Sequence, residues 1–287
     1  MTIINVTAVL VVFNKERFMK TRIISGVIAA AAVVGLLILN SFFPITVVIA
    51  VALLAAIAIY EMLFLTGAVK IKAPVIIAMV YVIAVQFSYM GFFINETPLT
   101  VIYVLALAVF AVIKHKTFNV TELVMTIAMP IILGFAFACL ASIINANAGI
   151  FYFVLLFNFA CVTDIGAYFV GCSIGKHKLA PEISPKKTIE GAVGGIVCSM
   201  IGTVVVCLIF QAILGKPINI LALTIATPVF SVVGMFGDLF ASLVKRHFGI
   251  KDYGNIMPGH GGVLDRTDSL LMIAPALVLF LSLFSVI

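Results

Sequence analysis

The sequence predicts an all-α integral membrane protein, a bundle of about nine transmembrane helices. Of its 287 residues, 64% are hydrophobic and 10% are charged, whereas soluble domains carry about 45–50% and about 25%. The chain alternates long apolar runs with short polar loops, and a spanning helix needs about 20 apolar residues. This composition excludes an ordinary soluble enzyme, a disordered chain and a nucleic-acid-binding module, so no nucleic-acid partner is expected.

The apolar runs follow one another from residue 23 to the end of the chain. They lie at residues 23–39, 45–64, 75–94, 101–113, 123–144, 151–171, 192–214, 218–244 and 269–286. Residues 1–18 do not resemble a signal peptide, because their charges follow the apolar stretch instead of preceding it. We interpret them as an interfacial extension or an over-called start, and residues 19–287 as a single transmembrane catalytic domain whose motifs lie at about 151–287.

The basic residues predict the orientation in the membrane. Sixteen of the 17 Lys and Arg precede the first run or lie in the loops after the second, fourth, sixth and eighth runs, and Lys216 is the exception. Cytoplasmic loops carry such an excess, so the N-terminus is expected in the cytoplasm and the C-terminus outside. The two long polar loops, 172–191 and 245–268, then lie on the cytoplasmic face of the cell membrane.

Two carboxylates inside apolar runs indicate chemistry. Asp164 lies in the sixth run and Asp238 in the eighth, although a carboxylate at a helix centre costs about 2.5–3.5 kcal/mol on insertion scales. The eighth run also contains Pro228, which predicts a kink. A buried carboxylate paired with a loop lysine for packing is the alternative to a cavity or a metal.

The loop at 245–268 contains glycines followed by two aspartates. Gly261 and Gly262 allow backbone amides to approach an anion closely. Asp265 and Asp268 are spaced to share one side of a helix start, although Asp in a first turn also suits the helix dipole. Because Mg²⁺ favours a few carboxylates together with phosphate oxygens, we expect Asp238 and Asp265 chiefly to bind Mg²⁺, with Asp268 supporting it or holding a second cation. Mn²⁺ is expected to substitute for Mg²⁺, and the presence and identity of a second cation are left open.

The loop at 172–191 places lysines after a Ser-Pro pair that we interpret as a rigid turn. Lys186 and Lys187 suit phosphate groups as point charges, or they serve only as topology signals. The polar residues near both loops form the candidate nucleotide-binding set: Asp164, Ser184, Lys186, Lys187, Thr188, Lys245, Arg246, Lys251, His260, Gly261, Gly262 and Arg266. Carboxylates for a metal, basic groups for phosphates and lateral access for lipid indicate phosphoryl or nucleotidyl transfer onto a lipid.

Two motifs resemble those of the phosphatidate cytidylyltransferase, or CDP-diacylglycerol synthase, family. Residues 242–246 (SLVKR), Lys251-Asp252 and residues 258–268 (PGHGGVLDRTD) look like its signature, while residues 164–168 (DIGAY) and 184–191 (SPKKTIEG) resemble a second motif. The resemblance covers the chain from about residue 19 onward.

The resemblance implies a reaction, its substrates and its metal. CTP and phosphatidic acid would give CDP-diacylglycerol and pyrophosphate with Mg²⁺ required, and Asp238, Asp265, Asp268, Lys186 and Lys187 would be the catalytic residues. A CTP-dependent lipid kinase remains an alternative. A cation-coupled transporter is a second alternative, against which the absence of an inverted repeat argues. The sequence leaves open whether the chain is a monomer or a homodimer.

Overall fold

The computed structural model describes residues 6–91, 95–256 and 261–287, with side chains from residue 24 onward. Within these ranges the chain consists of helices, one short β-hairpin and the loops that join them. The helices are α1 (Val6–Phe42), α2 (Ile45–Tyr60), α3 (Lys72–Tyr89), α4 (Glu96–Ile113), α5 (Val120–Asn145), α6 (Gly149–Phe157), α7 (Thr163–Ile174), α8 (Ile189–Leu214), α9 (Ile220–His247) and α10 (Leu264–Leu283).

Two π-helical turns interrupt the α-helical pattern. The turn Glu61–Leu65 continues α2, and the turn Asn158–Val162 joins α6 to α7. Each begins with a buried polar residue: Glu61 is 0% exposed and Asn158 is 4% exposed. A π-turn rotates the side chains that follow it and is frequent at functional sites.

The predicted membrane bundle is confirmed. Nine helices in the described ranges are long and apolar enough to span, with α6, the π-turn and α7 together forming one span. Two helices begin earlier than the apolar runs that predicted them, because their first turns contain polar residues. Helix α4 begins at Glu96 instead of 101, and α5 begins at Val120 instead of 123. Asn119 caps α5 through a capping box with Glu122, and apolar periodicity does not detect such a cap. The predicted third run ends at residue 94, outside the described residues.

The first described residues of the chain and the run that contains Pro228 are both helical. Helix α1 begins at Val6, so residues 6–18 continue the first spanning helix, and the boundary at residue 19 stays a prediction. Helix α9 is continuous through Pro228, and the kink at this proline stays a prediction. The side of the membrane on which each loop lies stays a prediction from the basic residues.

The predicted rigid turn at Ser184-Pro185 is wrong. Strand β1 (Lys178–Ala180) pairs antiparallel with strand β2 (Ser184–Thr188), and Lys178 lies opposite Thr188. The turn is at residues 181–183. Proline is tolerated early in a strand that has no partner on one side, so Pro185 fits this two-stranded hairpin.

Helices α7 and α8 approach closely at glycines. A Cβ at Gly166 would lie 2.7 Å from Cβ of Cys198, and a Cβ at Gly195 would lie 2.4 Å from the carbonyl oxygen of Thr163. Small residues allow such backbone contact between membrane helices. Because the β-hairpin connects α7 to α8, both ends of the hairpin are anchored in this packed pair.

A buried polar network continues from this contact into the membrane interior. The Asn158 amide donates to the carbonyl oxygen of Ser199 at 3.0 Å and to Thr203 Oγ1 at 3.0 Å. The hydroxyls of Thr203 and Thr227 lie 2.9 Å apart. The network therefore joins the second π-turn to α8 and α9, directly beside the segment that carries Asp164.

Candidate active site

A cavity of about 450 Å³ opens between α7, α9 and the β-hairpin. Its polar lining comes from three elements that are distant in sequence: Asp164 on α7, Lys178, Lys186 and Lys187 on the hairpin, and Asp238 on α9. The other lining residues include apolar and aromatic side chains, Tyr168, Leu179 and Met235 among them. The cavity thus combines basic groups, carboxylates and an apolar wall.

Lys187 and Asp238 form an ion pair in this cavity. The Nζ atom of Lys187 lies 2.7 Å from Oδ2 of Asp238, and the two side chains are 24% and 29% exposed. The Nζ atom itself is buried and makes no hydrogen bond of acceptable angle. The pair is held by attraction between opposite charges, which does not depend on the N–H angle. The N–H groups of the ammonium therefore have no hydrogen-bond acceptor among the described residues.

Three carboxylates share this region. Asp164 is exposed on the cavity wall, where the charge of Asp238 acts on it, and the charges of Asp164 and Asp238 both act on Asp268. Helices α9 and α10 are close here, since a Cβ at Gly237 would lie 2.9 Å from the carbonyl oxygen of Asp268. Asp268 accepts a hydrogen bond from the backbone N–H of Ser269 at 2.7 Å. Mutual repulsion among these charges favours binding of a cation or of cationic side chains.

Asp265 is an anchor of the loop between α9 and α10. Its side chain is 3% exposed, and Oδ1 lies 2.8 Å from Nζ of Lys245. Its Oδ2 accepts from the backbone N–H of Tyr253 at 2.7 Å and from that of Gly262 at 3.0 Å. Gly261 has φ +84°, a left-handed conformation that favours glycine. Asp265 therefore fixes both ends of the glycine-containing loop.

Tyr253 connects the same loop to helix α9. It is 2% exposed, and its hydroxyl donates to the carbonyl oxygen of Ala241 at 2.9 Å. Its ring centroid lies 5.2 Å from Nζ of Lys245. Burial raises the pKa of the Tyr253 hydroxyl, and the charges of Asp265 and Asp268 raise the pKa further. Tyr253 is therefore a neutral donor at physiological pH.

The described residues contain no group of three His, Cys, Asp or Glu side chains close enough to hold a metal ion. Asp238 and Asp268 each keep one carboxylate oxygen without a hydrogen bond or ion pair. Asp265 has one acceptor position left, on Oδ1, because a carboxylate offers about four. This donor set fits Mg²⁺, which binds through one or two carboxylates and completes its shell with phosphate oxygens and water.

The remaining predicted site residues have varied positions. Thr188 also lines the cavity, and it is buried and caps α8 by accepting from the N–H of Gly191 at 3.2 Å. Ser184 begins β2. Arg246, Lys251 and Arg266 are exposed and are not in the cavity lining.

His260 lies outside the described residues. The glycines at 261 and 262 lie at the start of α10, away from the cavity lining.

Sequence reasoning missed two glutamates. Glu190 lies 2.5 Å from Nδ1 of His177 and accepts from the backbone N–H of Lys176 at 3.1 Å, which fixes the start of the hairpin. Glu61 accepts from the backbone N–H groups of Val263 and Leu264 at the start of α10. A signal for Glu61 was present, because it is a carboxylate within the predicted run 45–64.

Known proteins provide independent evidence on what kind of enzyme this is. The sequence model of the cytidylyltransferase family matches residues 20–284. A phosphatidate cytidylyltransferase of Bacillus subtilis is 37% identical over an alignment of 276 residues that covers 93% of this chain and 99% of the relative. One of Staphylococcus haemolyticus is 33% identical over 92% of this chain and 99% of the relative. The chain therefore belongs to the cytidylyltransferase family and is a multi-pass membrane nucleotidyltransferase.

Proposed function

We propose that this protein transfers the cytidylyl group of CTP to phosphatidic acid, giving CDP-diacylglycerol and pyrophosphate. The names of its relatives support these substrates. The observation that carries the proposal is the cavity in which Lys187 and Asp238 meet beside an apolar wall. Such a site suits a reaction between two phosphate groups, one of which is attached to a lipid.

The chemistry requires positioning and charge neutralisation. An oxygen of the lipid phosphate attacks the α-phosphorus of CTP, a new P–O bond forms, and the bond from the α-phosphorus to the bridging oxygen of pyrophosphate breaks. No base is needed, because the attacking phosphate is already an anion. Lys187, with Lys186 at the exposed rim, neutralises charge that builds up on the phosphates. Apolar lining by Tyr168 and Met235 suits the glycerol and acyl part of the lipid.

The proposed cofactor is Mg²⁺, for which Mn²⁺ can substitute. Asp238 and Asp268 would hold it through their uncommitted oxygens, and Asp265, one turn before Asp268 on α10 and paired with Lys245, would position Asp268. Bound there, Mg²⁺ supplies charge neutralisation at the phosphates. Asp→Asn is nearly isosteric and removes one negative charge, so each of these three variants is expected to lose most activity. Anomalous scattering from Mn²⁺ in crystals tests the assignment, and a strong peak away from all three aspartates contradicts it.

We also propose that the site faces the cytoplasm across the cell membrane. The excess of Lys and Arg in loops 172–191 and 245–268 supports this orientation. The same side of the membrane contains the soluble nucleotide.

Product analysis tests the function directly. The purified protein is incubated with phosphatidic acid and CTP that carries label in the cytidine or in the γ-phosphate, and the lipids are separated by thin-layer chromatography. We expect cytidine label in the lipid fraction and γ-label in pyrophosphate. A lipid kinase would instead place the γ-label in the lipid, and that result would overturn the proposal. Transport of a cation without any labelled lipid would also overturn it.

A further inference from the structure

The N-terminal half of the chain contributes a buried carboxylate to the start of α10, the helix that carries Asp265 and Asp268. Glu61 begins the π-helical turn after α2 and is 0% exposed. Its Oε1 accepts from the N–H of Val263 at 3.0 Å, and its Oε2 accepts from the N–H of Leu264 at 2.9 Å. These N–H groups belong to the start of α10, where no intrahelical acceptor is available. Val263, the residue at the cap position, has no side-chain cap of its own.

Two glycines of the loop lie against this carboxylate. A Cβ at Gly254 would lie 2.6 Å from Oε1 of Glu61, and a Cβ at Gly262 would lie 2.5 Å from the same atom. Any larger residue at these positions would displace Glu61 or the loop. Gly262 also donates its N–H to Oδ2 of Asp265 at 3.0 Å. One glycine thus contacts Glu61 on one side and Asp265 on the other.

The charge on Glu61 is balanced by backbone groups. Among the described residues, the three ion pairs do not include Glu61, and the nearby charge that acts on it is the negative charge of Asp265. The N–H groups and the positive end of the α10 dipole are therefore its counter-charge.

We infer that Glu61 is a positioning residue for catalysis. It holds the start of α10 and the two loop glycines, Gly254 and Gly262, and through them it sets the positions of Asp265 and Asp268. The inference rests on the proposed function. It places part of the catalytic apparatus outside residues 151–287. Glu61 has no contact with the cavity that binds substrate in our proposal, so its effect passes through the loop.

The test compares Glu61→Gln with Glu122→Gln in the full-length protein in detergent. Glu122 is a matched control, because it is 5% exposed and also caps a helix start, accepting from the N–H groups of Asn119 and Lys70. Glu61→Gln keeps the shape but replaces one acceptor with a donor. We expect it to raise KM for CTP at least fivefold and to lower kcat at least tenfold. Glu122→Gln is expected to stay within twofold of the wild type in KM.

Hydrogen exchange supplies a readout that needs no substrate. Amides of peptides covering residues 253–264 should exchange at least tenfold faster in Glu61→Gln and at the wild-type rate in Glu122→Gln. Because KM does not depend on the amount of folded enzyme, a merely structural role would lower total activity in both variants and leave KM unchanged. Wild-type KM together with unchanged exchange at 253–264 would overturn the inference.

A second variant covers the case in which Glu61→Gln does not fold. Gly254→Ala adds a methyl group against Oε1 of Glu61 without changing any charge, and we expect it to raise KM for CTP and to speed exchange at 253–264. Wild-type values for both overturn the inference. If the wild-type protein makes no CDP-lipid, the proposed function fails, and the exchange measurement alone still decides whether Glu61 anchors the loop.

Discussion

Replacing Lys187 with methionine removes an ammonium group while keeping a side chain of similar length. The Nζ atom lies 2.7 Å from Asp238 and the side chain is 24% exposed, so solvent screens it little. A hydrogen bond to a charged group contributes about 1.5–3 kcal/mol. Since about 1.4 kcal/mol corresponds to a tenfold change in rate, losing one such bond to a CTP phosphate in the transition state predicts a roughly 10- to 150-fold lower kcat/KM.

The assay is steady-state formation of labelled CDP-lipid at saturating phosphatidic acid, with CTP varied. Lys178→Met is the matched control, because Lys178 lines the same cavity but is exposed and lies on the other strand; it should lose less than threefold. Lys187→Arg keeps the charge and should recover part of the activity. A Lys187→Met protein that melts at the wild-type temperature and stays within threefold in kcat/KM would refute the assignment of Lys187 to the phosphates.

Two further predictions concern orientation and the loop anchor. A single cysteine at Lys216 should react with a membrane-impermeant reagent from outside and one at Lys178 should not; external labelling at Lys178 would reverse the predicted topology. Lys245→Met and Asp265→Asn each remove one charge of a buried ion pair and leave the other without its counter-charge, so each should lower the free energy of unfolding by about 3–5 kcal/mol. The double variant should be less destabilised than the sum of both, and strict additivity in denaturant titrations would contradict the buried pair.

The spans were predictable because the bilayer imposes a length and a composition on each helix. Asp164 and Asp238 were predictable as site residues for a related reason: a carboxylate is costly in an apolar run, and both line the cavity. The alternative of a carboxylate paired with a loop lysine also has support, since Asp238 pairs with Lys187. This pairing does not conflict with function, because an ammonium beside a carboxylate can also face a phosphate.

The contacts that organise the site were not predictable from local sequence. Glu61 meets α10 across about two hundred residues of chain, and periodicity gives no information on which helices become neighbours. The β-hairpin was missed because its strands are three and five residues long and rich in lysine, a composition that β-propensity does not favour. The anchoring of Asp265 by Lys245 likewise depends on how the loop folds back onto α9.

The network around Asn158 has a consequence for the order in which the protein enters the membrane. The Asn158 amide donates to acceptors on α8 alone, and a polar amide without partners is costly in hydrocarbon. During synthesis, the span Gly149–Ile174 emerges before α8 does. Its stable residence in the bilayer therefore requires the arrival of the following helix, and the two spans behave as one unit of insertion. Biogenesis and catalysis then depend on the same packed pair of helices, whose connecting hairpin carries the cavity lysines.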